Sequence, residues 1–591
     1  MNRETKVCQK CKKDFWIEPE DFKFYQKISV PPPTWCPEGR MVRRMNFRNE
    51  RALYRNKCVL CSKDTLSAYP EKSDFVIYCH NCWWSDKWST LDYGIEYNFS
   101  KSFFEQFKDL MKKVPRPALS YTNAVASEYI NYGVNMKNTY LTFGSHDLEN
   151  VSYAKTSAHS KDSIDITTTL WSEFCYETVD CSKCFKVFFS RYVEDSQEDQ
   201  FLFACRNCSD CLGCANLRSK SHCIFNQQYL KDEYDKKIKE FDLGSYKNFI
   251  EFREKFKEHV LKYPHRFAMI RNSINVIGDD IRNSKNCYWC FFVTRDAENC
   301  RYSANISDAT KDSMDLTGAG LDSELLYEEV SGIGRRSYFG VKIWYSYDII
   351  LSEDCHNSSN LFACIGLHSK SYCILNRQYT KEEYEALVPK IIEHMNTMPY
   401  IDKKGRVYKY GEFFPPELSP FSYNETIAQE YFPLTREEAI EQGYSWKDPE
   451  PRNYQITLKT EDIPDHIKDV PDSILNEIIQ CAHHQLGGET SNCNEQCTEA
   501  FRIIPQELDF LRKMNLPLPR LCPNCRHYQR IKQRNPLKLW HRKCMCGTKT
   551  TYTNTIKHDH EGQCPIEFET TYAPERPEIV YCEKCYLKEV V

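Results

Sequence analysis

Along the middle of the chain, apolar residues come in short pieces. Tyr, Phe, Cys or Ile recur roughly every 11 to 13 residues, with Asn, Asp, Ser and Lys between them where turns belong. So short a period suits a β-solenoid, in which each rung stacks like side chains on the rung below and interior Cys and Tyr form ladders. The pattern is also used twice. FLFACRNCSDCLGCANLRSKSHCIFNQQYLKDEY, residues 201–234, returns as LFACIGLHSKSYCILNRQYTKEEY, residues 361–384. Lys137-Asn138 answers Lys285-Asn286, Glu149-Asn150 answers Glu298-Asn299, and Lys161-Asp162 answers Lys311-Asp312. Cys223, Asn226 and Tyr229 answer Cys373, Asn376 and Tyr379. Two ordinary α+β domains are the alternative architecture for the same repeat.

Helical signals are few. Thr380-Lys-Glu-Glu383 is a capping box closing the second copy, and Leu230-Lys-Asp-Glu233 closes the first without the hydroxyl. A charged helix from Tyr246 to Lys262 follows only the first copy. Phe103, Phe107, Leu110 and Met111 share one helical face. A Pro- and Tyr-rich stretch then lacks periodicity and reads as an extended, wrapping segment, with one short helix from Thr435 that Gly443 ends.

Composition sets the compartment. The 591 residues carry a formal charge of −4, which excludes a generally basic nucleic-acid coat but not a local patch. No apolar run approaches the roughly 20 residues that span a bilayer. The start, MNRETKVCQKCKKDF, lacks the apolar core of a signal peptide. A cytoplasmic protein without a membrane partner is expected. There, 31 cysteines with paired spacing point to Zn2+ rather than disulfides.

Zinc wants four soft ligands in a tetrahedron, and two Cys knuckles supply two each. Cys58/Cys61/Cys79/Cys82 has that spacing outright. Cys493/Cys497/Cys522/Cys525 and Cys544/Cys546/Cys582/Cys585 form two further sets near the C-terminus. Cys8, Cys11 and Cys36 form a fourth, in which Gly39 stands where the last cysteine is expected; a distant ligand fills that site or the site is lost. Cys481, His484, His558, His560 and Cys564 are surplus candidates. The row Cys205, Cys208, Cys211, Cys214 could bind zinc or an iron–sulfur cluster, but small interior residues of a solenoid are the preferred reading.

Both ends share an order: cysteine pair, Phe-x-Ile, acidic-aromatic helix, Pro-rich turn, then Cys-Pro and Arg. With these motifs each end resembles the zinc-ribbon, treble-clef-type family. The resemblance implies ligand roles for Cys493, Cys497, Cys522 and Cys525, and for Cys8, Cys11 and Cys36, with Gly39 departing. The whole chain is similar to large bacterial zinc-ribbon proteins, a likeness that implies no activity. The expected fold is therefore multidomain and mainly β: a double zinc module (1–118), first repeat copy with helical extension (119–270), second copy (271–396), linker (397–480) and a second double zinc module (481–591).

Three functions are compatible with this layout. Arg526, Arg530, Lys532, Arg534 and Arg542, with Trp540 interleaved, could bind RNA or single-stranded DNA. Arg40, Arg43, Arg44, Arg48, Arg51 and Arg55 form the N-terminal counterpart. A structural scaffold binding a protein partner on the duplicated face is the alternative. A carbohydrate-active enzyme would use Asp162/Asp165 and Asp312/Asp315 as acids. No P-loop, GxGxxG context or Ser/His/Asp order is present.

Overall fold

A computed structural model describes residues 3–450, 452, 454–485 and 495–590. Its centre is a β-solenoid, not a pair of α+β domains. In the first copy one bridge column runs Glu128, Tyr140, Ser152, Ile164, Tyr176, Phe188, Gln200, Leu212, Ile224, in parallel register. In the second it runs Ile277, Tyr288, Arg301, Met314, Tyr327, Tyr338, Ile350, Phe362, Ile374.

The coil is built from three-residue sides. From Asn123 to Phe225 every third residue is left-handed, with φ between +46° and +71°. Tyr153, Trp171 and Phe189 hold such corners, where L side chains ordinarily lose about 1–2 kcal/mol. The corner geometry is useful because it turns successive N–H groups in opposite directions. Asp165 donates back to Ser152 O and Ile164 donates forward to Cys175 O, both at 3.0 Å. Two of every three amides are satisfied this way.

The third amide belongs to the residue that points inward, and its partner is a side chain. Thr169 N donates to Ser157 Oγ at 3.2 Å, Cys175 N to Ser163 Oγ at 2.9 Å, and Cys208 N to Ser196 Oγ at 3.1 Å. The second copy repeats the device, with Leu316 N on Ser303 Oγ at 2.9 Å and Cys364 N on Ser352 Oγ at 3.0 Å. Inward positions that carry a hydroxyl or thiol can answer this amide, and they share the interior with aliphatic residues such as Val151, Ile166 and Leu202. That explains the Cys205, Cys208, Cys211, Cys214 row: four consecutive inward positions, all buried, each thiol directed at a backbone carbonyl. Asp199 sits in the same column and accepts from Cys211 N at 2.7 Å. Burial pushes its carboxyl up to about 9, so it is a neutral hydrogen-bonding group at pH 7.

The matched repeat residues form outward ladders. Asn138 donates to Asn150 and Asn150 to Asp162, each at 2.8 Å. Asn286 donates to Asn299 at 2.9 Å and Asn299 to Asp312 at 2.7 Å.

The copies lie side by side in opposite directions. Late residues of the first meet early residues of the second: Glu194 pairs with Arg271, and Arg282 donates to Ser182 at 3.3 Å. Tyr132, early in the first, lies under the Lys342 ammonium, late in the second. Each solenoid ends in a hairpin and helix. Lys381–Thr397 has the expected Thr380–Glu383 capping box, and Lys231–Glu240 starts at Leu230 without a side-chain cap. The extra helix is Tyr246–Val260, and Arg436–Glu441 starts at Thr435 as expected. No helix among the described residues is long and apolar enough to cross a membrane.

Two outcomes test this interior. Cys205, Cys208, Cys211 and Cys214 should resist maleimide alkylation until denaturant unfolds the solenoid, read by mass mapping of labelled sites. Asp199 has a raised folded pKa, so its contribution is fully present below its unfolded value of about 4 and is lost as pH rises toward about 9. Asp199→Asn should remove that loss, worth at most about 1.4 kcal/mol per pH unit in that window. Denaturant titrations at pH 5.5 and 8.5 should show the variant gaining relative stability at the higher pH.

Candidate metal centres and the basic helices beneath them

Each cysteine centre is assembled from two local structures. A strand delivers the first ligand, and the N-cap of a short helix delivers a later one. Glu4–Val7 leads into Cys8, and Cys36 caps Pro37–Met45, with Cys36 N donating to Cys8 Sγ at 3.2 Å. Gly39 N donates to Cys36 Sγ at 3.3 Å. Cys8, Cys11 and Cys36 converge, a set of three thiols that could hold a metal ion. Cys58, Cys61, Cys79 and Cys82 converge as expected, with Cys79 at the N-cap of His80–Trp83.

In the C-terminal half the grouping differs from expectation at both centres. Cys497, Cys522 and Cys525 are joined by Cys481, while Cys493 lies outside the described residues. Cys481 follows the strand Ile479–Gln480, and Cys522 N donates to its Sγ at 3.2 Å, the same bond that links Cys36 to Cys8. Cys481 is therefore the counterpart of Cys8, and the knuckle has been opened by an insertion. The next centre groups Cys544, Cys564, Cys582 and Cys585, with Cys564 in place of Cys546. Cys564 precedes the strand Glu567–Thr570 as Cys61 precedes Asp64–Ser67. Cys546 converges with Cys585 on a different set. Hydrogen bonding from Cys544 pulls the Cys582 thiol down to about 5 against the effect of burial. The ligand atoms of each set lie within 4.8 Å of one another, which suits a four-coordinate ion. Sequence spacing left Cys481 and Cys564 as surplus candidates and placed Cys493 and Cys546 in the sets, because insertions hide the x-x pair; the alignment of the flanking strands was the usable signal.

The capping helices continue into the solenoids through arginine. Cys36, Arg40 and Arg44 are spaced i, i+4, i+8, and so are Cys522, Arg526 and Arg530, so each trio shares a face. Arg44 donates to Asp315 Oδ1 at 2.9 Å, Thr317 Oγ1 at 3.3 Å and Tyr302 O at 3.4 Å. Arg530 donates to Asp165 Oδ1 at 2.6 Å, Thr167 Oγ1 at 3.3 Å and Tyr153 O at 3.4 Å. Arg40 and Arg526 take the other oxygen of the same two aspartates, at 2.9 and 2.7 Å. Tyr302 OH donates to Asp21 and Tyr153 OH to Glu507, both at 2.9 Å. The N-terminal module thus grips the second solenoid and the C-terminal module the first.

This placement corrects two expectations. Arg526, Arg530 and Arg534 are only 3%, 2% and 6% exposed, so they face solenoid carboxylates and not solvent. Arg534 pairs with Asp180 at 3.2 Å and lies over Phe292 of the other copy. Arg40, Arg43, Arg44 and Arg48 are buried likewise. Lys532 is exposed but paired with Glu495, Arg542 is held by the Tyr572 and Ala573 carbonyls, and Trp540 is half-buried on a strand. The acid pairs proposed for glycan chemistry are also committed elsewhere. Asp165 and Asp315 are buried under two arginines each, and Asp162 and Asp312 end the asparagine ladders.

No family model and no curated protein matches this chain. Among solved structures it is similar, at 11% identity over 48% of its length, to a Desulfovibrio desulfuricans G20 protein named for acetyltransferase activity. It covers 84% of that chain with a TM-score of 0.10, and a likeness at that level carries no argument.

Cys481→Ser should remove one bound metal ion per chain, and Cys493→Ser should leave the count unchanged. Native mass spectrometry of the two variants beside the parent reads both.

Proposed function

We propose that this chain is a cytoplasmic, zinc-stabilised scaffold, in which zinc-ribbon, treble-clef-type modules lock two opposed β-solenoids into one body that offers its ladders to a protein partner. Zinc is the reading that four-thiolate, closed sets support, and no described cysteine is in a disulfide. The observation that carries the scaffold reading is the burial of the arginines. A phosphate-binding surface needs guanidinium groups free to meet the backbone of a nucleic acid. Here the strongest basic run is spent on internal ion pairs, so the modules act as clamps. The outward surface left for recognition is the repeated one, with Lys137, Glu149 and Lys161 on one copy matched by Lys285, Glu298 and Lys311 on the other.

The test sets stability against affinity. Arg530→Gln should destabilise the fold by about 3–5 kcal/mol, because it leaves Asp165 buried with one partner fewer. The parent should show no salt-dependent retention of an RNA or single-stranded DNA pool that this substitution abolishes. If Arg526→Gln/Arg530→Gln keeps the parental melting temperature and loses salt-dependent nucleic-acid binding, the scaffold reading is wrong and the basic run is an interface.

A further inference from the structure

The C-terminal module carries more ligands than one tetrahedral ion can use. Its core centre is Cys544, Cys564, Cys582 and Cys585, the counterpart of Cys58, Cys61, Cys79 and Cys82. The strands that flank the two knuckles set this correspondence. Cys58 N donates to Lys63 O and Cys544 N to Ile566 O, each at 2.9 Å, closing the same turn. In the N-terminal knuckle the first two cysteines are separated by Val59 and Leu60 alone. In the C-terminal knuckle an insertion separates Cys544 from Cys564, and it brings Cys546, His558 and His560. Those three converge with Cys585 within 4.8 Å. Cys585 therefore belongs to both groups.

We propose that this module holds two divalent, zinc-like ions bridged by the Cys585 thiolate. One ion takes Cys544, Cys564, Cys582 and Cys585. The other takes Cys546, His558, His560 and Cys585. This assignment rests on the zinc reading of the module given above and extends it to a second ion.

The groups around the second set are arranged as a ligand shell requires. His560 donates Nδ1–H to Gly562 O at 2.9 Å, which leaves Nε2, 3.5 Å from Cys585 Sγ, free to coordinate. His558 places Nε2 2.8 Å from Glu589 Oε1, which leaves Nδ1 as its ligand atom. That carboxylate is fully buried and is further fixed by Tyr552 OH at 2.7 Å and Thr555 N at 2.9 Å. Asn554 Nδ2 donates to Cys546 Sγ at 3.3 Å, and Tyr581 OH holds the Asn554 carbonyl at 2.6 Å. Cys585 and Glu589 are four residues apart on Glu583–Val590, so one helix face supplies both the bridge and the histidine orienter. Lys584 and Lys588 pair with Asp559, between the two histidines, and pin the insertion to that helix.

Charge and coordination agree. Five thiolates with a single divalent ion would leave three uncompensated negative charges at buried sulfurs. A second divalent ion reduces that to one. Each ion reaches four ligands only if Cys585 is shared. With metal–sulfur bonds of about 2.3 Å, the ions then lie less than ~4.6 Å apart. Both coordination shells are closed, so the pair is structural, and it adds to the ion pairs that tie the insertion to the helix at the end of the first solenoid, where Tyr586 OH donates to Asn216 at 2.9 Å.

The full-length chain loaded with 113Cd tests the bridge directly. Two mutually coupled cadmium resonances are expected from this module, because scalar coupling between the ions requires a shared sulfur. In parallel, native mass spectrometry should find one ion fewer in His558→Asn/His560→Asn than in the parent, with the ions of the Cys58 and Cys481 centres retained as an internal check on folding. A double variant that keeps the parental ion count overturns the second centre, and uncoupled resonances in the parent overturn the bridge. Loss of the ions from every centre of the parent would instead overturn the zinc reading on which both rest.

Discussion

One unpaired amide per three residues governs this structure. Parallel coils of three-residue sides satisfy two N–H groups through carbonyls above and below, and leave the inward residue's N–H facing the interior. A buried amide without a partner costs about 1–3 kcal/mol, and at inward positions the main chain of the neighbouring coils supplies none. Where the coil before carries Ser, Cys or the protonated Asp199, that side chain answers it. The same groups are small enough for a narrow interior, so one requirement selects both size and chemistry. The abundance of cysteine in the centre follows from that constraint, separately from the cysteines of the metal centres.

Each solenoid has a narrow core of its own, and the terminal modules pack further buried surface onto its faces. The arginine clamps hold them there. In each half a cysteine at a helix N-cap fixes the helix, two arginines on the same face reach a buried aspartate, and a tyrosine hydroxyl reaches an acidic side chain on the preceding helix. Cysteine cluster, helix position and solenoid packing are therefore linked in series. Because the N-terminal module grips the second solenoid and the C-terminal module the first, the clamps also hold the two copies against each other. Arg48, between Tyr132 of one copy and Ser331 of the other, and Arg534, between Asp180 and Phe292, do this with single side chains.

The two ends differ in one respect. Both N-terminal knuckles are compact, and both C-terminal knuckles are split by insertions at the same place in the turn. Knuckle tips tolerate this because their ligands are held by a strand on one side and a helix N-cap on the other, so added chain need not disturb either anchor. In the last module the added chain brings Cys546, His558 and His560, and His558 meets the buried Glu589 carboxylate of the helix that follows.

Much of this was legible along the chain. The duplicated solenoid was the reading a short period favoured over a pair of α+β domains, and the matched residues Asn138, Asn150 and Asp162 turned out to be ladder positions. Cys58, Cys61, Cys79 and Cys82 were readable because their ligand spacing is local. Cys481 and Cys564 were legible only as surplus candidates, because their equivalence to Cys8 and Cys61 lies in strand pairing across insertions that spacing cannot see. The basic run misled for a related reason. A guanidinium reads the same in sequence whether it faces phosphate or a carboxylate, and Asp165 lies hundreds of residues from Arg530. Only the folded arrangement, which carries each terminal module to the far solenoid, decides that these charges are internal; the sequence by itself determined the repeat and the local cysteine knuckles, since each depends on near neighbours alone.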